Sequence, residues 1–189
     1  MGMGRRAITL GTLVALGVSG CGGGERQDKN EPEGTFDVRV VDATFPRTQH
    51  IADQARMRIA VRNTGQKDVP NVAVTVKGFT RRDTQPGLAD PNKPVWIVDA
   101  GPKGGDTAYV GTWALGPLGA GKTKTFEWRV TPIQPGVYKV SYEVAAGLNG
   151  KAKARAQGGG PPSGRFTVRV SGKPPQARVN PETGAVERS

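Results

Sequence analysis

The chain has 189 residues, with 27 Lys and Arg against 16 Asp and Glu, giving a formal net charge of +11. One cysteine and one histidine exclude an internal disulfide and a CxxC redox centre, and they argue against a zinc or copper site. Gly and Pro are abundant at 28 and 15 residues, and they cluster in linkers, loops and ends, as loop-rich β structure requires.

In chain order, the first segment is not part of a fold. Arg5 and Arg6 precede an apolar run from Ala7 to Val18, interrupted only by Thr9, Gly11, Thr12 and Gly17. Twelve helical residues span about 18 Å, short of the ~30 Å hydrocarbon core of a bilayer. A cleavable export signal over 1–20 fits this charge, length and small-residue ending better than a permanent span. The arginine pair, with apolar Ile8 two residues on, also permits twin-arginine export. Val18-Ser19-Gly20-Cys21 resembles the lipobox of a bacterial lipoprotein signal peptide: aliphatic, small, small, then the cysteine whose thiol takes the lipid. The resemblance implies lipidation at Cys21, with palmitate-type acylation, and an extracytoplasmic address on a membrane, where two or more acyl chains anchor stably. Gly22 follows the cysteine, so the usual aspartate signal for inner-membrane retention in diderm cells is absent and an outer membrane stays open as the address.

Residues 22–34 carry two bases and four acids with almost no apolar side chains. With Cys21 they read as a flexible tether over 21–34. Residues 35–171 carry 20 bases and 10 acids, a surface suited to anionic partners such as phospholipid headgroups or acidic wall polymers. Export makes nucleic acid the least fitting of these.

From Phe36 the hydrophobic period is two. Phe36, Val38 and Val40 alternate with Asp37 and Arg39; Met57, Ile59 and Val61 alternate with Arg56, Arg58 and Arg62. Val72–Val76, Phe126–Val130, Tyr138–Val144 and Phe166–Val170 repeat the pattern. One face of each strand is apolar and the other solvated, as in antiparallel sheets packed on one core. Val95–Val98 and Tyr109–Leu115 add two strands, and Asn63-Thr64-Gly65, Gln134-Pro135-Gly136 and Asn149-Gly150 supply turns. No stretch has a helical period. The predicted fold is an all-β, immunoglobulin-like antiparallel β-sandwich over 35–171, followed by a disordered polar tail over 172–189.

Ala55-Arg-Met-Arg-Ile-Ala-Val-Arg-Asn-Thr-Gly65, then Val69-Pro-Asn-Val-Ala-Val-Thr-Val76, resembles the CARDB-like and similar immunoglobulin-like modules of bacterial surfaces. Pro135-Gly-Val-Tyr-Lys-Val-Ser-Tyr142 resembles their late hairpin. The resemblance implies adhesion, interaction or spacer roles outside the cytoplasm, and brings no catalytic residues with it. Thr80–Asp106 departs from a minimal module, being long and rich in Pro, Gly, Asp and Lys, and long loops in compact domains are often functional or mobile. Trp96 within it is a candidate ligand-contacting aromatic, weighed against a place in the core.

Several motifs fail on mechanism. Gly116-Pro-Leu-Gly-Ala-Gly-Lys-Thr123 matches the phosphate-binding P-loop pattern, but Lys124-Thr-Phe-Glu-Trp-Arg-Val130 continues with a strand period where the chemistry needs a helix N-terminus. Asn180-Pro-Glu-Thr-Gly184 resembles a sortase signal without the apolar span that sorting needs. Asp83, Asp90, Asp99 and Asp106 lack calcium-loop spacing, and His50 alone supports neither a metal site nor a catalytic triad. Lys151, Lys153 and Arg155 alternate with alanines. They read either as lysines guarding a sheet edge or as a basic strip for anionic lipid or polymer.

The sequence therefore predicts a non-enzymatic, lipid-anchored envelope protein without cofactor, metal or nucleotide. Its partners are the membrane through the anchor and an envelope protein or anionic wall polymer. The alternative is a lipoprotein that captures an anionic solute or polymer through the 80–106 loop.

Overall fold

The two-residue hydrophobic period is realised as strand throughout. In the computed structural model, which describes residues 30–82, 92–175, 177–184 and 186–188, the strands are Gly34–Thr44 (β1), Thr48–His50 (β2), Ala55–Asn63 (β3), Ala73–Lys77 (β4), Thr80–Arg82 (β5), Asn92–Pro94 (β6), Trp96–Ala100 (β7), Asp106–Tyr109 (β8), Thr112–Ala114 (β9), Thr123–Pro132 (β10), Gly136–Ala145 (β11), Ala152–Arg155 (β12), Ser163–Ser171 (β13), Ala177–Val179 (β14) and Val186–Arg188 (β15). The export signal, Cys21, Asp83 and Asp90 lie outside the described residues.

Two sheets carry the fold. One has the order β12-β1-β3-β10-β7 and the other β2-β13-β11-β4-β9-β8. Between them lie Val38, Met57, Ile59, Val61, Phe126, Trp128 and Val130 from the first sheet and Val74, Val140, Val144, Val168 and Val170 from the second, each at most 3% exposed. Full burial of one such side chain contributes about 1.5–3 kcal/mol. Trp128 joins the layers, stacked on Phe126 at 5.9 Å and edge-to-face with Trp113 at 5.4 Å. This is an immunoglobulin-like β-sandwich.

The chain changes sheets right after β1. A register shift at Val40/Asp42 bends β1, which stays paired with β3 as far as Thr44. Phe45, buried in the core, then carries the chain across to β2, which runs parallel to the end of β13. This short strand has no hydrophobic period of its own, and the sequence did not announce it.

Three other segments differ from expectation. Tyr109–Leu115 is not one strand but a hairpin of β8 and β9, because Val110-Gly111 forms its tip, with Gly111 at φ 74° and Val110 fully exposed. The region from Thr80 is partly ordered β structure: β5 and β6 pair with each other, and β7 completes the edge of the first sheet. The polar tail forms a ladder of β14 and β15. Its turn is the Asn180–Gly184 segment, where the Asn180 side chain accepts from the amides of Glu182 and Thr183 at 2.9 and 3.2 Å, an Asx turn of ordinary chemistry.

The start of β1 is fastened by polar contacts. Asn63 is fully buried, donating to the carbonyls of Lys67 at 2.8 Å and Leu118 at 2.9 Å and accepting from the Gly65 amide at 3.0 Å. The Glu31 carboxylate, three residues before β1, accepts from the amides of Leu148 at 2.6 Å, Asn149 at 3.2 Å and Ala152 at 3.0 Å. A Cβ on Gly147 would collide with that carboxylate, so glycine there leaves the space that Glu31 fills.

Candidate functional site

At the other end of β1 the sandwich is open on one side. Strand β12 covers β1 only from Gly34 to Asp37, and β2 covers β13 only from Arg169 to Ser171. Between the uncovered lengths lies a cleft of about 810 Å³, within the range of ordinary ligand sites.

Sequence and topology place each wall. Arg56 and Arg58 stand on the solvent side of β3, where strand alternation sends them opposite to Met57 and Ile59. Arg165 stands on the solvent side of β13 and Arg47 on the crossover before β2. Phe45, Tyr142 and Phe166 supply the apolar wall, with Phe166 5.8 Å from Phe45 and 5.7 Å from Tyr142 between ring centroids. Tyr142 lies over its cross-strand partner Gly164, and a Cβ on Gly164 would run into the phenol. The missing side chain therefore lets the ring lie flat against the strand.

Charge within the cleft is divided. Arg58 is held by Asp42 at 3.1 Å and Arg56 by Glu127 at 3.4 Å. Arg47 and Arg165 meet no acid among the described residues, and no carboxylate lines the cleft. Burial pushes the Tyr142 phenol above its usual pKa, so it stays protonated at neutral pH and offers a hydroxyl donor. Beside it a smaller hollow of about 270 Å³ shares Tyr142, Gly164 and Arg165 and adds Lys77, Ser141, Ser163 and the acid Glu143. Two free guanidinium groups, a phenol and aromatic faces suit an anion carried on a ring or chain, since guanidinium pairs bidentately with phosphate or carboxylate.

The residues singled out from sequence lie elsewhere. Trp96 is 2% exposed, and its indole donates to Gln49 at 2.8 Å while packing edge-to-face on Tyr138. It is a core residue and presents no ring to a ligand, because it packs among Phe45, Phe79 and Tyr138, whereas the next residues Ile97 and Val98 are exposed. Lys151 precedes β12, and Lys153 and Arg155 lie on it, all exposed at the edge of the first sheet. Arg155 is engaged by Asp37 through contacts of 2.7 and 3.0 Å. The pair lies far from the cleft, at the opposite end of β1. His50 meets the Lys173 carbonyl at 2.9 Å. Asp99 accepts from Gln54 and Thr131, and no three His, Cys, Asp or Glu among the described residues gather where a cation would sit. The P-loop-like segment leads directly into β10. Arg47 had no pattern to reveal it. Arg56, Arg58 and Arg165 were visible as the polar half of alternating strands, but nothing in the sequence joined β3 to β13.

No family model and no curated protein matches the chain. Solved structures share its fold. The CARDB domain of a Pyrococcus furiosus protein, crystallised with di-metal ions, is 17% identical with a TM-score of 0.41, over 74% of this chain and 93% of that one. Escherichia coli alpha-2-macroglobulin from domain MG7 to its C-terminus is 14% identical with a TM-score of 0.46, over 79% of this chain and 21% of that one. The cupredoxin domain of amoB from Nitrosocaldus yellowstonii is 12% identical with a TM-score of 0.42, over 82% of this chain and 99% of that one. At such values the likeness is one of fold, and no ligand, metal or activity passes across it. Fold and cleft together define an immunoglobulin-like β-sandwich with a cationic, aromatic-walled cleft.

Proposed function

We propose that this chain is a non-enzymatic, lipid-anchored protein of the cell envelope, and that its immunoglobulin-like domain binds an anionic envelope polymer through the cleft at the end of β1. The observation that carries the reading is the pairing pattern there: Arg47 and Arg165 meet no acid among the described residues and stand beside aromatic walls. Cations held near apolar surface in a concave site bind anions more strongly than cations scattered over a convex one. The lipobox-like Val18–Cys21 supports the address. The cleft takes the place of the 80–106 loop as the binding element, since Trp96 is committed to the core.

The test has two arms. Inorganic polyphosphate serves as the model polyanion, and the double variant Arg47→Ala, Arg165→Ala is expected to weaken its binding about tenfold or more, as loss of two charge-assisted contacts implies. Binding by the double variant as tight as that of the wild type would remove the cleft from the reading. In cells, Cys21→Ser is expected to move the protein out of the membrane pellet or leave its signal uncleaved. Unchanged processing and pelleting would remove the anchor.

A further inference from the structure

The end of the domain fastened by Glu31 has the makings of a membrane-facing surface. Its carboxylate sits among the amides of Leu148, Asn149 and Ala152, and the Gly34 amide donates to the Lys151 carbonyl at 3.2 Å. The tether is therefore joined to the loop between β11 and β12, not merely to the first residue of β1. Ten residues separate Cys21 from Glu31, a reach of at most about 35 Å when fully extended. A lipid on Cys21 keeps this loop within that distance of the bilayer.

The surface around the loop has two parts. Lys151 and Lys153 are exposed and meet no acid among the described residues, whereas Arg155 is held by Asp37. Beside them runs a groove of about 430 Å³ with Val144, Ala152, Ala154 and Pro161 in its walls, Lys153 and Arg155 among its bases and Glu143 as the acid in its lining. A basic rim over an apolar floor matches an amphiphile with an anionic head more closely than a fully hydrated polyanion. The arginine cleft has aromatic walls of its own and opens beside the other end of β1, while on β11 its Tyr142 is next in sequence to Glu143 of the groove.

Resting on the anchored reading above, we infer that the Glu31 clamp turns this end of the domain toward the membrane. There Lys151, Lys153 and the adjoining groove engage anionic phospholipid headgroups. The tether then sets orientation as well as distance.

The experiment uses the full lipidated chain inserted into the outer leaflet of preformed vesicles, of phosphatidylcholine alone or with phosphatidylglycerol added. Surface lysines are labelled with an amine-reactive reagent and read by mass spectrometry. Labelling of Lys151 and Lys153 is expected to fall roughly fivefold with phosphatidylglycerol, the factor corresponding to one favourable lysine–headgroup contact, while Lys77 and Lys139 on the second sheet stay unchanged. In Glu31→Gln, which keeps one oxygen acceptor but sets an amide NH₂ against at least one of the three backbone donors, the protection is expected to vanish with the lipid on Cys21 intact. Equal labelling in the two vesicle types, or protection that survives Glu31→Gln, overturns the inference alone. A chain whose Cys21 peptide carries no lipid overturns the anchor and this inference with it.

Discussion

At its start, strand β1 lies beside a carboxylate with three amide partners, a bidentate Asp37–Arg155 pair and a saturated buried asparagine. At its end it lies beside Arg47 and Arg165, which meet no acid, and a Tyr142 hydroxyl without a partner among the described residues. One strand thus joins a region that satisfies its own polar groups to a region that leaves them open. The difference shows where the acids go. Glu31, Asp37, Asp42, Asp68, Asp99 and Glu127 all have partners within the domain. Part of the excess of base over acid in residues 35–171 stands at the cleft as Arg47 and Arg165, which meet no acid among the described residues. Buried or well-formed polar contacts at the first end serve stability, and unpaired charges at the second are available for binding.

The largest expected effect that sharpens this contrast is at Asn63. Replacing it with Ala leaves the carbonyls of Lys67 and Leu118 and the amide of Gly65 without their side-chain partner. Leaving buried groups unsatisfied is expected to cost about 2–4 kcal/mol in urea unfolding. Below the unfolding transition, polyphosphate binding at the cleft should be unaltered. If Asn63→Ala weakens binding while the domain remains folded, the two ends are not independent.

Gly147→Ala ranks next. The new Cβ occupies the place of the Glu31 carboxylate and is expected to expel it, at a cost of roughly 1–3 kcal/mol for the lost charge-assisted contacts. In a Glu31→Ala background the same substitution should cost much less, so the pair is strongly coupled in a double-mutant cycle. Additive effects of the two changes would mean that Gly147 is needed for its own backbone and not for the clamp.

The sheet layers were legible from sequence because burial on one face writes itself as alternation, as in Met57-Arg58-Ile59 and Val168-Arg169-Val170. The inward turn of Trp128 and the outward turn of Lys153 follow from the same rule. What stayed hidden was made by contacts between distant segments. Glu31 looked like one acid among four in a polar tether, since the amides that hold it lie more than a hundred positions further on. Arg47 lacked any period, because its position depends on where the chain changes sheets. The hairpin over Asp106–Ala114 was missed because Asp106-Thr107-Ala108 has too little apolar character to read as a strand, and only Gly111 marked the reversal. The cleft was illegible for a related reason: alternation tells which side chains point outward, but not which strand edges are left uncovered.

The smallest effect concerns the exposed pair that closes the start of β1. The Arg155 side-chain hydrogen bond, reinforced by its charge, holds the Asp37 carboxyl below the usual carboxylate range, and the same contact raises Arg155. A carboxyl whose folded pKa is depressed contributes stability above its unfolded pKa and loses it as pH falls toward the folded value. The contribution is therefore complete at neutral pH and is lost only below about pH 4, near the unfolded carboxylate value. Arg155 stays charged throughout and adds no second step. Because both groups are exposed, salt screens the pair. Asp37→Asn should therefore lower the thermal midpoint slightly at pH 7 and leave it unchanged near pH 2. The gap should narrow in high salt. A midpoint difference that persists at pH 2 would mean that the substitution acts through something other than the charge of Asp37.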